Sequence, residues 1–263
     1  MKKKGLLLLV SCLLICSPLA HAQQTVVVKI NPVVGPKSLV LSSGSYVTAH
    51  QESFRVTLFQ YYISNLRLVK SDGSEWVLPQ DSSYFLIKSS EPVSGQIRLP
   101  NLPSGEYVGL KFMLGIDSLR NTMPLSRRKG CLDIGAEANG MYWSWNAGYI
   151  FFKLEGLSPQ APADKTSGKN EFTFHVGLYG GSKVPTPNNT RWVSLPFASQ
   201  KLVVTGHTKA QISIQADVLK LFAGMHPIRI AQYPQVMMQP IASHIADNYA
   251  NMFSLQGIKT SIK

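Results

Sequence analysis

The sequence predicts an all-β protein, an antiparallel β-sandwich with a few short helices including a C-terminal one. Three observations carry that expectation. Apolar residues recur with period two in short runs. Turn residues such as Ser71-Asp72-Gly73 and Pro103-Ser104-Gly105 separate the runs. The 20 glycines and 16 prolines are scattered over all 263 residues, which excludes long helical repeats.

Each element follows from its own pattern. Phe54, Val56 and Leu58 alternate with Arg55 and Thr57, and Leu66 and Leu68 flank Arg67. Val108, Leu110, Phe112 and Leu114 point one way, away from Gly109 and Lys111. Phe172, Phe174 and Val176 share a face, which leaves Thr173 and His175 on the other. Ile212 and Ile214 alternate with Gln211, Ser213 and Gln215. Asp217 caps a short turn over 218–222 that stops at Gly224. Pro240 opens the longer helix, where Ile241, Ile245, Tyr249 and Met252 recur at helical spacing for packing on a sheet edge or face. Residues 161–170 and 184–190 read as exposed loops. No linker, composition shift or repeat divides residues 23–263, so a single domain is expected there.

The N-terminus reads as a secretory signal peptide over residues 1–22. Lys2, Lys3 and Lys4 precede an apolar stretch over 5–15, and Ala20-His21-Ala22 is a small-residue cleavage pattern before Gln23. The apolar part is too short to span a membrane. The expected destination is periplasmic, secreted or cell-surface. Lipid anchoring stays open, because Leu9-Val10-Ser11-Cys12 has lipobox character and Cys16 follows. Removing 22 of 263 residues leaves 241, and the three lysines lost lower the formal charge from +12 to +9. Cys131 is then the sole cysteine, so no intrachain disulfide forms and the core alone must hold the fold. No later segment reaches the length of apolar sequence that an integral membrane protein needs.

The chemistry-bearing residues narrow the function by exclusion. Arg127-Arg128-Lys129 is the densest basic run, read as a solvated loop, and nothing supplies the basic stripe with stacking aromatics that nucleic acid requires. No Gly-x-Ser-x-Gly and no phosphate-cradling loop occurs, and the 14 carboxylates show no evident pair, so a non-enzyme is expected. A glycosidase pair would converge only in space. The basic neighbourhood of Cys131 could lower a thiol pKa, but no motif surrounds it. His50, His175, His207, His226 and His244 form no His-x-His or His-x-x-x-His pair of the common zinc type. Met237 and Met238 are explained by core packing. Trp143 and Trp145, in the aromatic stretch 140–156, suit an aromatic core layer, a sugar-stacking platform or an aromatic wall beside a metal. Asp117 and Asn121, beside Gly115, read as organisers of a turn rather than catalysts.

Several of these residues together resemble a known family. They are Tyr61-Tyr62-Ile63-Ser64-Asn65-Leu66, Gly115-Ile116-Asp117-Ser118 with Asn121, and Met141-Tyr142-Trp143-Ser144-Trp145-Asn146-Ala147-Gly148-Tyr149. The 152–156 stretch, Phe174-His175-Val176-Gly177 and Asp247-Asn248-Tyr249-Ala250-Asn251-Met252-Phe253 continue the pattern. Over roughly residues 25–253 the chain is similar to the copper-binding MbnP-like domain of exported bacterial proteins, with the Trp-x-Trp block as its most specific piece.

The resemblance implies a β-rich exported protein linked to copper. Relatives bind copper through histidines near an oxidised tryptophan (kynurenine), the oxidation being attributed to a MauG-like dihaem partner. Carried onto this chain, His175 matches the histidine of the Phe-His-x-Gly motif, and Trp143 or Trp145 is the oxidisable ring; His50, which precedes the Phe54 strand and lies in no matched motif, is the further histidine assigned to metal. Copper(I) accepts imidazole and softer ligands at low coordination number. After Phe253, where relatives often carry histidines, this chain has Ser254-Leu255-Gln256-Gly257. The alternative is a β-sandwich binding module for a glycan or a protein partner, without metal.

Overall fold

The computed structural model describes residues 24–145, 148–181 and 184–262. The expected signal peptide lies outside the described residues. Strands make up 46% of the structure and helices 13%, the balance the alternation predicts.

The main strands in chain order are β1 (Thr25–Val34), β2 (Ser53–Lys70), β3 (Tyr84–Lys88), β4 (Gln96–Leu99), β5 (Gly105–Leu114), β6 (Tyr142–Trp143), β7 (Gly148–Leu157), β8 (Glu171–Gly177), β9 (Arg191–Pro196), β10 (Thr208–Asp217) and β11 (Phe253–Ile262). The helices are α1 (Ser118–Asn121), α2 (Leu219–Phe222) and α3 (Ile241–Ala250).

A five-stranded sheet runs in the order β11-β10-β1 and on to Lys37–Ser38, with β4 also on β1. An 11-stranded curled sheet runs β9-β5-β2-β7-β8 and on to Gln235–Val236. Their facing sides enclose one core. Val26, Val28, Ile212 and Ile214 from the small sheet pack with Phe54, Phe112, Phe152 and Phe174 from the large one. Burying such side chains removes roughly 1.5–3 kcal/mol of exposure cost each and is the driving term for the fold, since no disulfide occurs among the described residues.

Not every pairing is antiparallel. β1 pairs with β10 in parallel register from Thr25↔Lys209 to Val33↔Asp217, and β8 pairs in parallel with Gln235–Val236. The sandwich is therefore mixed. Parallel neighbours need a long crossover, and the main strands of the large sheet, β2 to β9 without β4, supply it between β1 and β10.

Two alternations slip phase. In β2 the buried partner after Phe54 and Val56 is Phe59 rather than Leu58, because the register with β7 shifts between Glu155 and Gly156. In β5, Tyr107 takes the buried place expected for Val108, next to the irregularity between Val69 and Lys70. A bulge of this kind adds one residue and reverses the faces beyond it. The C-terminal helix is likewise not the end of the fold, since β11 follows it and pairs antiparallel with β10.

The other face of the large sheet carries a second apolar cluster. Tyr62, Tyr149 and Phe151 alternate with core residues Tyr61 and Phe152 on the same strands, and Ile116, Leu132, Met141 and Trp143 from the 116–143 segment cover them. α3 contacts β8 and β9, and its Tyr249 stacks near Phe152 with ring centroids 5.2 Å apart. This second face holds the candidate site.

Candidate functional site

Alternation along β8 buries Phe172, Phe174 and Val176 and turns His175 and Gly177 to the opposite face. The register then decides the neighbours. Lys153 of β7 lies opposite His175, and Ile150 lies opposite Gly177. The His175 Nε2 atom is 2.8 Å from Glu155 Oε1, and Lys153 Nζ is 3.4 Å from the same oxygen. Lys153 Nζ also donates to the Gly140 carbonyl at 3.1 Å. Hydrogen bonding from His175 is the main reason that the Glu155 carboxyl is held below its ordinary range; burial opposes it and Lys153 assists. The imidazole retains 19% side-chain exposure, so an entering ion or partner can reach it.

Gly177 is required by a close approach. A Cβ there would lie 2.5 Å from the Tyr149 carbonyl oxygen and 2.7 Å from Trp143 Cζ3, so only hydrogen leaves room for the neighbouring strand and the indole. Trp143 is thus fixed against the strand two residues from His175, and is 5% exposed. Trp145 lies tilted against Trp143, with ring centroids 5.5 Å apart, and remains 62% exposed. The Trp-x-Trp block supplies one buried ring beside His175 and one ring open to solvent. Tyr142 and Tyr149 continue the aromatic layer at 5.2 Å, and Tyr149 and Tyr62 at 5.7 Å.

A hydrogen-bonded hub supports this face. Asn65 adopts φ 53°, a left-handed conformation that asparagine tolerates, at the irregularity in β2 between Ser64 and Arg67. Its Nδ2 donates to Asp117 Oδ2 at 2.8 Å, and the Tyr84 hydroxyl donates to the same oxygen at 2.6 Å. Asp117 Oδ1 accepts from the Arg120 amide and caps α1. Burial pushes the Asp117 carboxyl up, but hydrogen bonds from Tyr84, Asn65, Arg120 and Gln80 outweigh it and leave it lowered. Asn121 is buried, donates to the Ile116 carbonyl at 2.6 Å and accepts from the Tyr149 amide at 3.2 Å. Both residues tie loop to sheet.

The remaining sequence-derived residues lie elsewhere. His50 sits in the tight turn between Tyr46–Val47 and β2, where its amide donates to Thr48 Oγ1 and its Nε2 is buried with no hydrogen-bond partner among the described residues. Cross-strand register aligns His175 with Gln60 through Lys153. His50 precedes Ser53, itself seven residues before Gln60, which separates the two levels by about 23 Å at the strand rise. The two histidines do not share one site. His226 and His244 stack on each other at 4.0 Å, with His226 Nε2 3.1 Å from Asp247 Oδ2. Among the described residues no group of three or more His, Cys, Asp or Glu is placed to hold a metal ion. Cys131 is not activated: burial, with Glu137 adding to it, pushes the thiol up to about 12.

Two contributors escaped the sequence reading. Glu155 meets His175 only through strand register. Asn189 lies in a segment expected to be an exposed loop, yet it is fully buried, with Nδ2 donating to the Gly177 carbonyl at 2.7 Å and Oδ1 accepting from Ser243 of α3 at 2.9 Å. It pins the end of β8 to the helix.

The family model for MbnP matches residues 23–239. The chain belongs to the MbnP family. The solved structure of MbnP from Methylosinus trichosporium is similar to it with a TM-score of 0.47 and 18% sequence identity, covering 76% of this chain and 77% of that one. None of the curated proteins matches the chain. The MbnP match runs from β1 to just before α3, and so includes Trp143, Glu155, His175 and Gly177. Among the described residues no helix is long and apolar enough to cross a membrane.

Proposed function

We propose that this MbnP family member is an exported, non-enzymatic copper-binding protein whose site lies around His175. The observation that carries the reading is the His175–Glu155 couple at 2.8 Å beside Trp143, on the one face where β8 lacks side-chain bulk. A metal-binding imidazole needs one ring nitrogen free and the other held, and a carboxylate on Nε2 is a common way to hold it.

The donor chemistry fits a low-coordinate site rather than a full protein cage. His175 supplies one imidazole, and Glu155 orients it. Trp143, the ring packed on Gly177, is the one positioned to contribute a neutral group after oxidation. Copper(I) tolerates few ligands and accepts nitrogen and soft or neutral donors. Bound copper would supply redox or storage chemistry; the chain's own residues orient the imidazole, shield one indole and expose the other. A MauG-like dihaem protein is the proposed oxidant of the tryptophan, meeting the protein at the exposed Trp145. Residues 1–22 are proposed to direct export to the periplasm or beyond.

The deciding experiment is elemental analysis of the protein purified from its native host, together with the same measurement on His175→Ala. Copper in the first and loss of it in the second support the proposal. Absence of copper from native protein overturns it.

The 62% exposure of Trp145 favours a second reading, a glycan or protein-partner platform without metal. Trp145→Ala would then abolish partner capture while His175→Ala would leave it intact.

A further inference from the structure

In the basic run Arg127-Arg128-Lys129, expected to be a solvated loop, Arg127 and Lys129 are exposed but Arg128 between them is not. Arg128 is 7% exposed. Its guanidinium lies 5.1 Å over the Tyr142 ring and 4.9 Å over the Tyr149 ring, and donates to the carbonyls of Met123 at 3.0 Å and Asn121 at 2.9 Å. Among the described residues no carboxylate pairs with it, and Nη1 has no hydrogen-bond partner. A buried charge without a counter-ion is costly, and ring faces and carbonyls offset only part of that cost.

Arg128 lines a cavity of about 530 Å³ with Arg127, Lys129, Arg120, Tyr84 and Cys131. Arg127 and Lys129 are likewise without a carboxylate partner among the described residues. Arg120 is neutralised by Asp81, the one acidic residue in the wall. Three uncompensated cations therefore border one concavity of small-ligand size.

We propose that this cavity is an oxyanion-binding site, taking a phosphate or carboxylate group against the exposed Arg127 and Lys129, with the Arg128 charge buried behind them in the same wall. Guanidinium groups present planar forks that match such oxygens, and a delocalised charge held in a poorly solvated wall attracts an anion more strongly than one in water. The oxyanion comes either from a free small anion or from an acidic segment of a bound partner; the chemistry is the same. The site is independent of copper, since it involves neither His175 nor Trp143.

The test is calorimetric titration of the full chain with inorganic phosphate at low ionic strength, with chloride at matched ionic strength as control. Saturable phosphate binding is expected, weakened about tenfold or more in Arg127→Gln/Lys129→Gln and in Arg128→Gln. The double variant changes only exposed side chains, so it decides the matter even if Arg128→Gln fails to fold. Equal effects of phosphate and chloride, or unchanged phosphate binding in the double variant, overturn the proposal. A short N-acetylated glutamate peptide separates the two sources. Tighter binding than phosphate, competed by phosphate, identifies a partner's acidic segment, and phosphate binding alone identifies a free anion.

Discussion

Glu155 and His175 meet across the β7–β8 pair, Oε1 to Nε2 at 2.8 Å, and the carboxylate also faces Lys153 at 3.4 Å. One oxygen thereby fixes the imidazole and also faces the Lys153 ammonium. Among the described residues Nε2 alone is engaged, which leaves Nδ1 as the ring nitrogen open to another partner. It also separates two roles that a ligand search by residue type would merge, since His175 can bind and Glu155 can orient.

Substitutions at the two positions should differ in degree. Glu155→Gln keeps the shape but weakens the hold on the ring, and copper affinity should fall within the roughly 10–100-fold range typical of losing an outer partner. His175→Ala should fall further. Competition titration with a copper(I) chelator measures both, and equal affinity of all three proteins would remove the couple from the site.

Acid should destabilise the protein through the same carboxylates. Glu155 and Asp117 both titrate below their ordinary values of 4.5 and 3.8 in the folded state. Below those ordinary values the unfolded chain therefore binds more protons than the native one, and stability declines with falling pH. The contribution is fully present above about pH 5 and is lost as pH drops through the lowered folded values. Melting temperature followed from about pH 6 to pH 3 should show this decline, with a shallower slope in Glu155→Gln and Asp117→Asn. Parallel slopes in all three proteins would assign the acid sensitivity to other groups.

Asp117→Ala should destabilise without any metal present. It removes the cap of α1 and leaves the Tyr84 hydroxyl and the Asn65 amide without their acceptor. Loss of a cap and of hydrogen bonds to a partly buried carboxylate together amount to about 2–3 kcal/mol. Denaturant melts provide the measurement, and an unchanged midpoint with altered copper binding would give Asp117 a functional role instead.

Much of the fold was legible because period two survives in most strands. Phe172, Phe174 and Val176 alone place His175 on the outer face, and Ile245, Tyr249 and Met252 locate the buried side of α3 and its exit. β11 was not legible. Phe253 and Leu255 alternate, but Gly257 at φ 157° and the shift opposite Ser213 and Ile214 move Ile258 out of phase. The site was half legible for a related reason. Local alternation gives the face of a residue, whereas Glu155 beside His175, Trp143 on Gly177 and Arg128 between two tyrosines depend on register and on the folding-over of the 116–143 segment.

Gly177→Ala tests that folding-over directly. The new methyl would meet the Tyr149 carbonyl oxygen at 2.5 Å and Trp143 Cζ3 at 2.7 Å, and overpacking of this sort costs about 1–3 kcal/mol. The indole must move outward, so tryptophan emission should shift to the red as stability falls. A stable variant with unchanged emission would show that Trp143 is not held by β8.

The oxidation proposed for maturation should fall on Trp143 and not be shared equally with Trp145. Trp143 is the ring against Gly177, two residues from His175, so a modified group there stands beside the imidazole; Trp145 is on the solvent side of the pair, 5.5 Å away. Exposure alone predicts the reverse order, because incidental oxidants reach the 62% exposed ring far more readily than the 5% exposed one. The two origins are therefore distinguishable by position. Peptide mass mapping of protein from the native host should show an oxidised Trp143, and protein produced without a dihaem partner should show Trp143 unmodified. A Trp145-dominated pattern in both preparations would mark adventitious chemistry. Unmodified Trp143 in copper-loaded native protein would end the maturation claim and leave ligation by His175 standing by itself.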